Sequence, residues 1–307
     1  MSTTPLPTLP DGTQAAPPSA APSVKEPVIT MLKTIAPQKN GGRILAKLND
    51  SLGILMHTVL PPLLGFVLLL GIWSIVSMTN KGIPTPQTVW HAAVVLFSDP
   101  FYSNGPNDQG IGWNILSSLR RVGIGFGIAA MVGIPMGFLL GRFQFLSRAL
   151  DPIISLLRPV SPLAWLPIGL LVFKRADPAA TWTIFICSIW PMILNTAQGV
   201  QRVPQDYMNV ARVLNLSELK IITKILFPAV LPYMLTGIRL SIGTAWLVIV
   251  AAEMLTGGVG IGFWVWDEWN NLKVEHIIIA IFVIGLVGLL LEHALLWIAR
   301  RFSYESN

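Results

Sequence analysis

Residues 51–80 run for thirty positions without a single Asp, Glu, Lys or Arg, and that run limits what this chain can fold into. A helix rises about 1.5 Å per residue, so about 20 apolar residues cross the hydrocarbon core of a bilayer. Two further charge-free runs have the same reach, residues 178–201 and 122–141. Charged residues make up only 12% of the 307, while 53% are hydrophobic; an ordinary soluble domain is roughly 25% charged. Charge this sparse cannot cover a water-soluble globule. The expected fold class is an all-α polytopic membrane protein with six transmembrane helices.

Those spans are placed near 54–78, 120–141, 151–173, 179–199, 228–252 and 276–299. The third carries Pro159, Pro162 and Pro167. Each proline removes a backbone donor, and lipid tolerates such a break only where other helices or a watery cavity satisfy the freed carbonyls. That span is expected to face the bundle interior. The second carries Gly125, Ala129, Gly133, Gly137 and Gly141 at a four-residue step. Such a stripe lets another backbone approach one helical face, which reads as packing within the subunit.

Residues 1–45 hold eight of the 24 prolines with many Ser, Thr and Ala and no periodic apolar face. They are expected to form a disordered cytoplasmic tail, with the transmembrane domain over 46–302. A basic segment followed by an apolar one is missing, so the tail does not read as a signal peptide. With the N-terminus inside, the inner segments collect thirteen Lys and Arg and the outer loops four. That asymmetry puts both termini in the cytoplasm of a bacterial inner membrane. It also accounts for the net charge of +6 without nucleic acid. Arg120 and Arg121, at the outer mouth of the second span, read as interface anchors. Cys187 stands alone and the four histidines are dispersed, so no metal site is expected.

The informative segment is the loop over 200–227. Two short helices joined at Asn215 fit it: Pro204 suits a first turn, Asn215 tolerates a left-handed backbone, and Ser217 can cap a second helix that Pro228 ends. Met208, Ala211 and Leu214 with Asn215 recur on one side as a small, apolar patch. A helix of that kind in the cytoplasm is expected to dock into a partner's groove.

This loop and its continuation through Phe227-Pro228 and Gly237-Ile238-Arg239 to Ala245-Trp246 resemble the permease subunits of ABC importers for nitrate, sulfonate and taurine. That family writes Glu-Ala-Ala, three residues, then Gly; here Asn209-Val210-Ala211 and Asn215 stand in those places, so only Ala211 is unchanged. Arg158-Pro159-Val160-Ser161-Pro162-Leu163-Ala164-Trp165 in the third span and Ile83-Pro84-Thr85-Pro86 after the first are similar too. The text over 245–270 looks most like the cyanobacterial nitrate/nitrite branch and its bicarbonate sibling.

The resemblance implies a type I importer permease (MetI-like) fold. It implies a second permease copy, two ATPase subunits that bind ATP and Mg, and a periplasmic or lipid-anchored binding protein. Its coupling loop falls on Asp206, Met208, Asn209, Ala211, Leu214, Asn215 and Leu216. The chain has no G-x-x-x-x-G-K-[ST] phosphate loop, so it is expected to be a transporter subunit and not itself an enzyme or cofactor carrier. The expected substrate is nitrate or nitrite, with bicarbonate and then sulfonate or taurine as alternatives. An ATP-independent anion carrier or channel is the reading from another class.

A planar monoanion crossing a low-dielectric core needs positive charge and donors nearby. Arg158 and Trp165 are seven apart, as are Arg239 and Trp246. On continuous helices each pair shares a face, which makes all four candidates for the substrate pathway. Helix packing is the competing role. Glu253 and Glu292 are expected to be ion-paired.

Overall fold

The computed structural model describes residues 58–302, and among residues 300–302 only the backbone. The expected disordered tail over 1–45 lies outside the described residues. The chain divides into two compact units, Met1–Leu69 and Leu70–Asn307. Of the first, the described part is the beginning of helix α1 (Leu60–Thr79); all that follows concerns the second.

The described residues of that unit continue with α2 (Pro86–Ser98), α3 (Ile111–Arg142), α4 (Gln144–Leu157), α5 (Pro162–Phe173) and α6 (Ala176–Gln201). Then come α7 (Gln205–Val213), α8 (Glu218–Ile221), a π-helical turn (Ile222–Leu226), α9 (Phe227–Thr256), α10 (Ile261–Asn270) and α11 (Val274–Phe302). Five stretches are long and apolar enough to cross a membrane: α1, α3, α6, α11 and the run Glu218–Thr256. The pair α4 and α5 makes a sixth if it is counted as one span, bent by 98°. Counted that way, the described helices give six candidate spans with the third broken, and residues 54–57 of the first expected span lie outside the described residues.

The break follows from the prolines. Arg158 keeps helical dihedrals, φ −57° and ψ −44°. Pro159 and Pro162 cannot donate, however, and Ser161 ahead of Pro162 is extended at ψ 133°, so α4 ends at Leu157 and α5 restarts at Pro162. The expectation that this span faces the bundle interior is not met within the single chain. α5 buries Leu166 and Gly169 and leaves Leu171 and Val172 exposed. Pro228 also behaves differently from the expected helix stop. The turn ahead of it widens to π geometry, with the Phe227 N–H donating to the Ile222 carbonyl. Opening the turn relieves the crowding a proline ring causes one turn back, and the helix runs on to Thr256.

α6 is the central element, packed against α3, α9 and α5. The small-residue stripe explains how α3 comes so close. Gly125, Ala129, Gly133 and Gly137 are buried on α3, and a Cβ on Gly137 would stand 2.6 Å from Thr196 Cβ and 2.8 Å from the Ile193 carbonyl. The stripe is packing within the subunit, as expected. Two helices between spans had not been anticipated. α2 starts at Pro86 behind Thr85, whose hydroxyl accepts from the Thr88 N–H; α10 follows a glycine-rich turn.

This packing predicts that Gly137→Ala destabilises the protein by about 1–3 kcal/mol through overpacking, read as a lower thermal midpoint in detergent. Gly123→Ala on the same helix, where a Cβ meets nothing within 4 Å, leaves the midpoint unchanged or raises it. Equal losses in both would contradict the close approach of α3 and α6.

Candidate functional site

The loop singled out by sequence folds as two helices with the expected hinge. Pro204 precedes α7, and Asn215 takes φ +48°. The Leu216 N–H donates to the Ala211 carbonyl over 3.0 Å, closing the end of α7. Ser217 precedes α8 but makes no side-chain cap. The Arg142 guanidinium pins the start of α8 to the end of α3 through two hydrogen bonds to Glu218, 2.8 and 3.0 Å. Between α3, α4 and α7 lies a cleft of about 560 Å³ bordered by Arg142, Arg148, Arg212, Gln144 and Gln205.

The patch expected to dock is divided between the two sides of α7. Ala211 is 0% exposed, in a cluster with Phe138, Val200, Leu226 and Val230, and Met208 and Leu216 pack against that cluster. These three residues fix α7 to its own chain. Asp206, Asn209, Leu214 and Asn215 are exposed. The outward apolar residues are Tyr207, Val210, Val213 and Leu214, with Val213 81% exposed. The sequence offered two neighbouring stripes of equal periodicity. The one holding Ala211 went inward, against Val200, Leu226 and Val230.

At the broken span, Arg158 caps the end of α4 and Trp165 lies in the first turn of α5. Their seven-residue spacing does not place them on one helical face, because the helix is interrupted between them. A cavity of about 410 Å³ reunites them, bordered also by Trp190, Cys187, Thr244 and Leu247. The other candidate pair lies elsewhere. Arg239 is ion-paired with Glu292, and the buried Trp246 donates its indole N–H to the Ile284 carbonyl over 2.9 Å. Both contacts tie α9 to α11. Glu253 and Glu292 are ion-paired as expected.

The far end of α3 holds a polar network that sequence reasoning missed. Arg121 donates to Glu253 at 2.6 Å, to the Val259 carbonyl at 2.7 Å and to Asp177 at 2.5 Å. Glu253, 1% exposed, also accepts from the Ser118 hydroxyl at 2.7 Å and the Gly262 N–H at 3.0 Å. Asn114 accepts the Gly260 N–H and Ser118 the Ile261 N–H. Every donor at the start of α10 named here is thereby satisfied by α3 or α9. Gly257 and Gly258 make the turn that brings the chain back, at φ +76° and +90°. Arg121 is thus a clasp across α3, α6 and α9, not an interface anchor. The available signal was a glutamate inside an apolar span, followed within nine residues by four glycines.

Next to this network, Glu268 on α10 lies 3.0 Å from His276 Nδ1 and 3.6 Å from Lys273 Nζ. Burial pushes its carboxyl up, but the His276 contact and the Lys273 charge outweigh it, so the group titrates below the usual carboxylate range. A depressed carboxylate stabilises the fold above its ordinary pKa and loses that contribution as pH falls through the folded value.

The described residues thus form a multi-pass membrane bundle with one short helix held against its end and one span broken beside a cavity. Residues 133–304, more than half of the chain, match the family model described as the binding-protein-dependent transport system inner membrane component. The chain belongs to that family, the inner-membrane permeases of ABC importers. It is 50% identical over 242 residues to the nitrate import permease protein NrtB of Leptolyngbya laminosa, covering 79% of this chain and 87% of that one. It is 45% identical over 246 residues to the bicarbonate transport system permease protein CmpB of Synechocystis sp., covering 79% and 88%. The inward-facing MetNI methionine ABC transporter shares the fold, with a TM-score of 0.54 at 15% identity over 62% of this chain and 95% of that one.

The clasp predicts that Arg121→Ala destabilises the protein by about 3–5 kcal/mol, because it strands a buried carboxylate. Arg121→Ala combined with Glu253→Ala recovers part of that loss, measured as chemical denaturation of the purified chain. Full additivity of the two single losses would contradict the pairing.

Proposed function

We propose that this chain is the membrane permease of an ATP-driven importer of nitrate and nitrite. The observation that carries the reading is the 50% identity to a nitrate import permease over most of both chains. A bicarbonate substrate is the second reading, supported by 45% identity to a bicarbonate permease. Two copies would form the pathway, with the exposed apolar face of α5 at Leu171 and Val172 available to a second copy. Both termini and α7 would lie on the cytoplasmic side, where basic residues collect. A periplasmic or lipid-anchored protein would deliver substrate to the other side.

Separate ATPase subunits, holding ATP and Mg, would bind the outward face of α7: Tyr207, Val210, Val213 and Leu214, together with the exposed polar Asp206, Asn209 and Asn215. Motion of α7 would reach the bundle through Ala211, Met208 and Leu216, which are packed on the core around the π turn. The chain's part is mechanical. It couples to hydrolysis that others perform.

The test is ATPase activity and uptake of the reconstituted assembly with nitrate, nitrite, bicarbonate or taurine. Nitrate and nitrite are expected to stimulate hydrolysis and to accumulate only with ATP. Accumulation without nucleotide would contradict the importer reading, and stimulation by bicarbonate alone would replace the substrate. Val213→Glu, which places a charge on the outward face of α7, is expected to cut uptake more than tenfold with the permease's thermal midpoint unchanged. Ala211→Trp is expected to lower that midpoint, since it overpacks the chain's own core.

A further inference from the structure

Arg158 lies at the break of the third span, exposed on the single chain, and its side chain makes no ion pair or hydrogen bond with any described residue. Of the other arginines with described side chains, Arg121, Arg142, Arg212 and Arg239 have a polar partner and Arg202 lies over the Tyr233 ring. Arg120, Arg148 and Arg175 have none among the described residues, and of all the arginines named only Arg158 borders the cavity described next. An uncompensated guanidinium at membrane depth is costly, so charges there pair or mark an ion path. Trp165 across the cavity carries a second unmet demand. Its Nε1 is buried and has no hydrogen-bond partner, although buried indole N–H groups ordinarily find an acceptor. Trp182 Nε1 is unpartnered too, but it lies against Phe173 and Phe185 and does not border this cavity.

The two unmet donors border one space of about 410 Å³. At about 30 Å³ per water, that space holds a three-oxygen anion with several waters. The first turn of α5 starts beside Arg158, and its dipole adds positive potential to the same rim. The rest of the wall is largely apolar: Trp190, Leu247 and Val248. Thr244 spends its hydroxyl proton on its own helix, donating to the Ser241 carbonyl over 2.9 Å. No carboxylate borders the cavity.

We propose that this cavity is the transit site for a small planar oxyanion of single charge, held between the Arg158 guanidinium and the Trp165 indole N–H. The proposal rests on the permease reading above and adds where in the chain the anion is bound. Arg158 supplies the compensating charge, and Trp165 supplies a donor on an apolar wall. A flat, weakly hydrated anion fits that wall, whereas a dianion carries a second charge that no group bordering the cavity offsets. Arg239 and Trp246 are outside the site, since their polar groups are spent on α11.

The test uses the complete reconstituted importer with saturating, substrate-loaded binding protein, and reads nitrate carried per ATP hydrolysed. Arg158→Gln is expected to lower that ratio about tenfold, and Arg158→Lys to keep it within about threefold. Trp165→Phe, which keeps the ring and deletes the donor, is expected to lower it several-fold. In all three, stimulation of ATP hydrolysis by the binding protein persists. If Arg158 and Trp165 serve packing or lipid contact only, transport and hydrolysis fall together with the ratio unchanged, and that result overturns the site. So does an unchanged ratio in Trp165→Phe and Arg158→Gln at normal transport. Should the unaltered importer carry bicarbonate instead of nitrate, the same fall in bicarbonate per ATP supports the site while the nitrate reading is lost.

Discussion

Hydrocarbon offers no partner to a backbone N–H or carbonyl, and every feature of this chain answers to that constraint. Its long apolar runs are helical because a helix satisfies these groups within the segment. Close contact between helices then depends on small residues, which is why α3 presents a stripe of glycine and alanine to α6. Where the constraint is broken, at Arg158 to Ser161, the chain bends by 98° between α4 and α5. The interruption is bordered by a cavity, and the bend sets an arginine and an indole on its rim.

The two ends of the bundle are built on opposite principles. At the end carrying α10, polar groups close on one another. Glu253 gathers Arg121, Ser118 and the Gly262 N–H. At the end carrying α7, apolar packing holds a short helix by one face and leaves its other face, Tyr207 to Leu214, without a partner among the described residues. A closed polar clasp suits a fixed structural junction. An uncovered apolar face on a well-anchored helix suits a place where another protein bears. On the proposed reading, force enters at α7, passes through Ala211 and the π turn into α9, and changes the bundle around the Arg158 cavity.

The helical spans were legible because charge-free length is a property of the local sequence. The break in the third was legible because proline acts on its own backbone, although the angle it produces was not. Asn215 declared its left-handed turn for the same local reason. What failed depended on contacts outside the segment that carried the expectation. Which stripe of α7 turns inward is decided by Val200, Leu226 and Val230, not by α7 itself. The Ser118–Glu253 contact joins residues 135 apart, so the clasp left no periodic trace. Pro228 was misread because a π turn upstream can absorb a proline that would otherwise end the helix. The Arg158–Trp165 pairing was anticipated from a helical spacing that the structure does not have; the cavity brings the two together by another route.

On the proposed reading, α7 receives a partner on the face carrying Val213 while its Met208 face stays locked to the bundle. Photo-crosslinking from each of these two positions in the assembled complex tests it most directly. A covalent adduct to the ATPase subunit from position 213, with position 208 yielding only links within the permease, is the predicted result. Adducts to the ATPase from position 208 and none from 213 would contradict it.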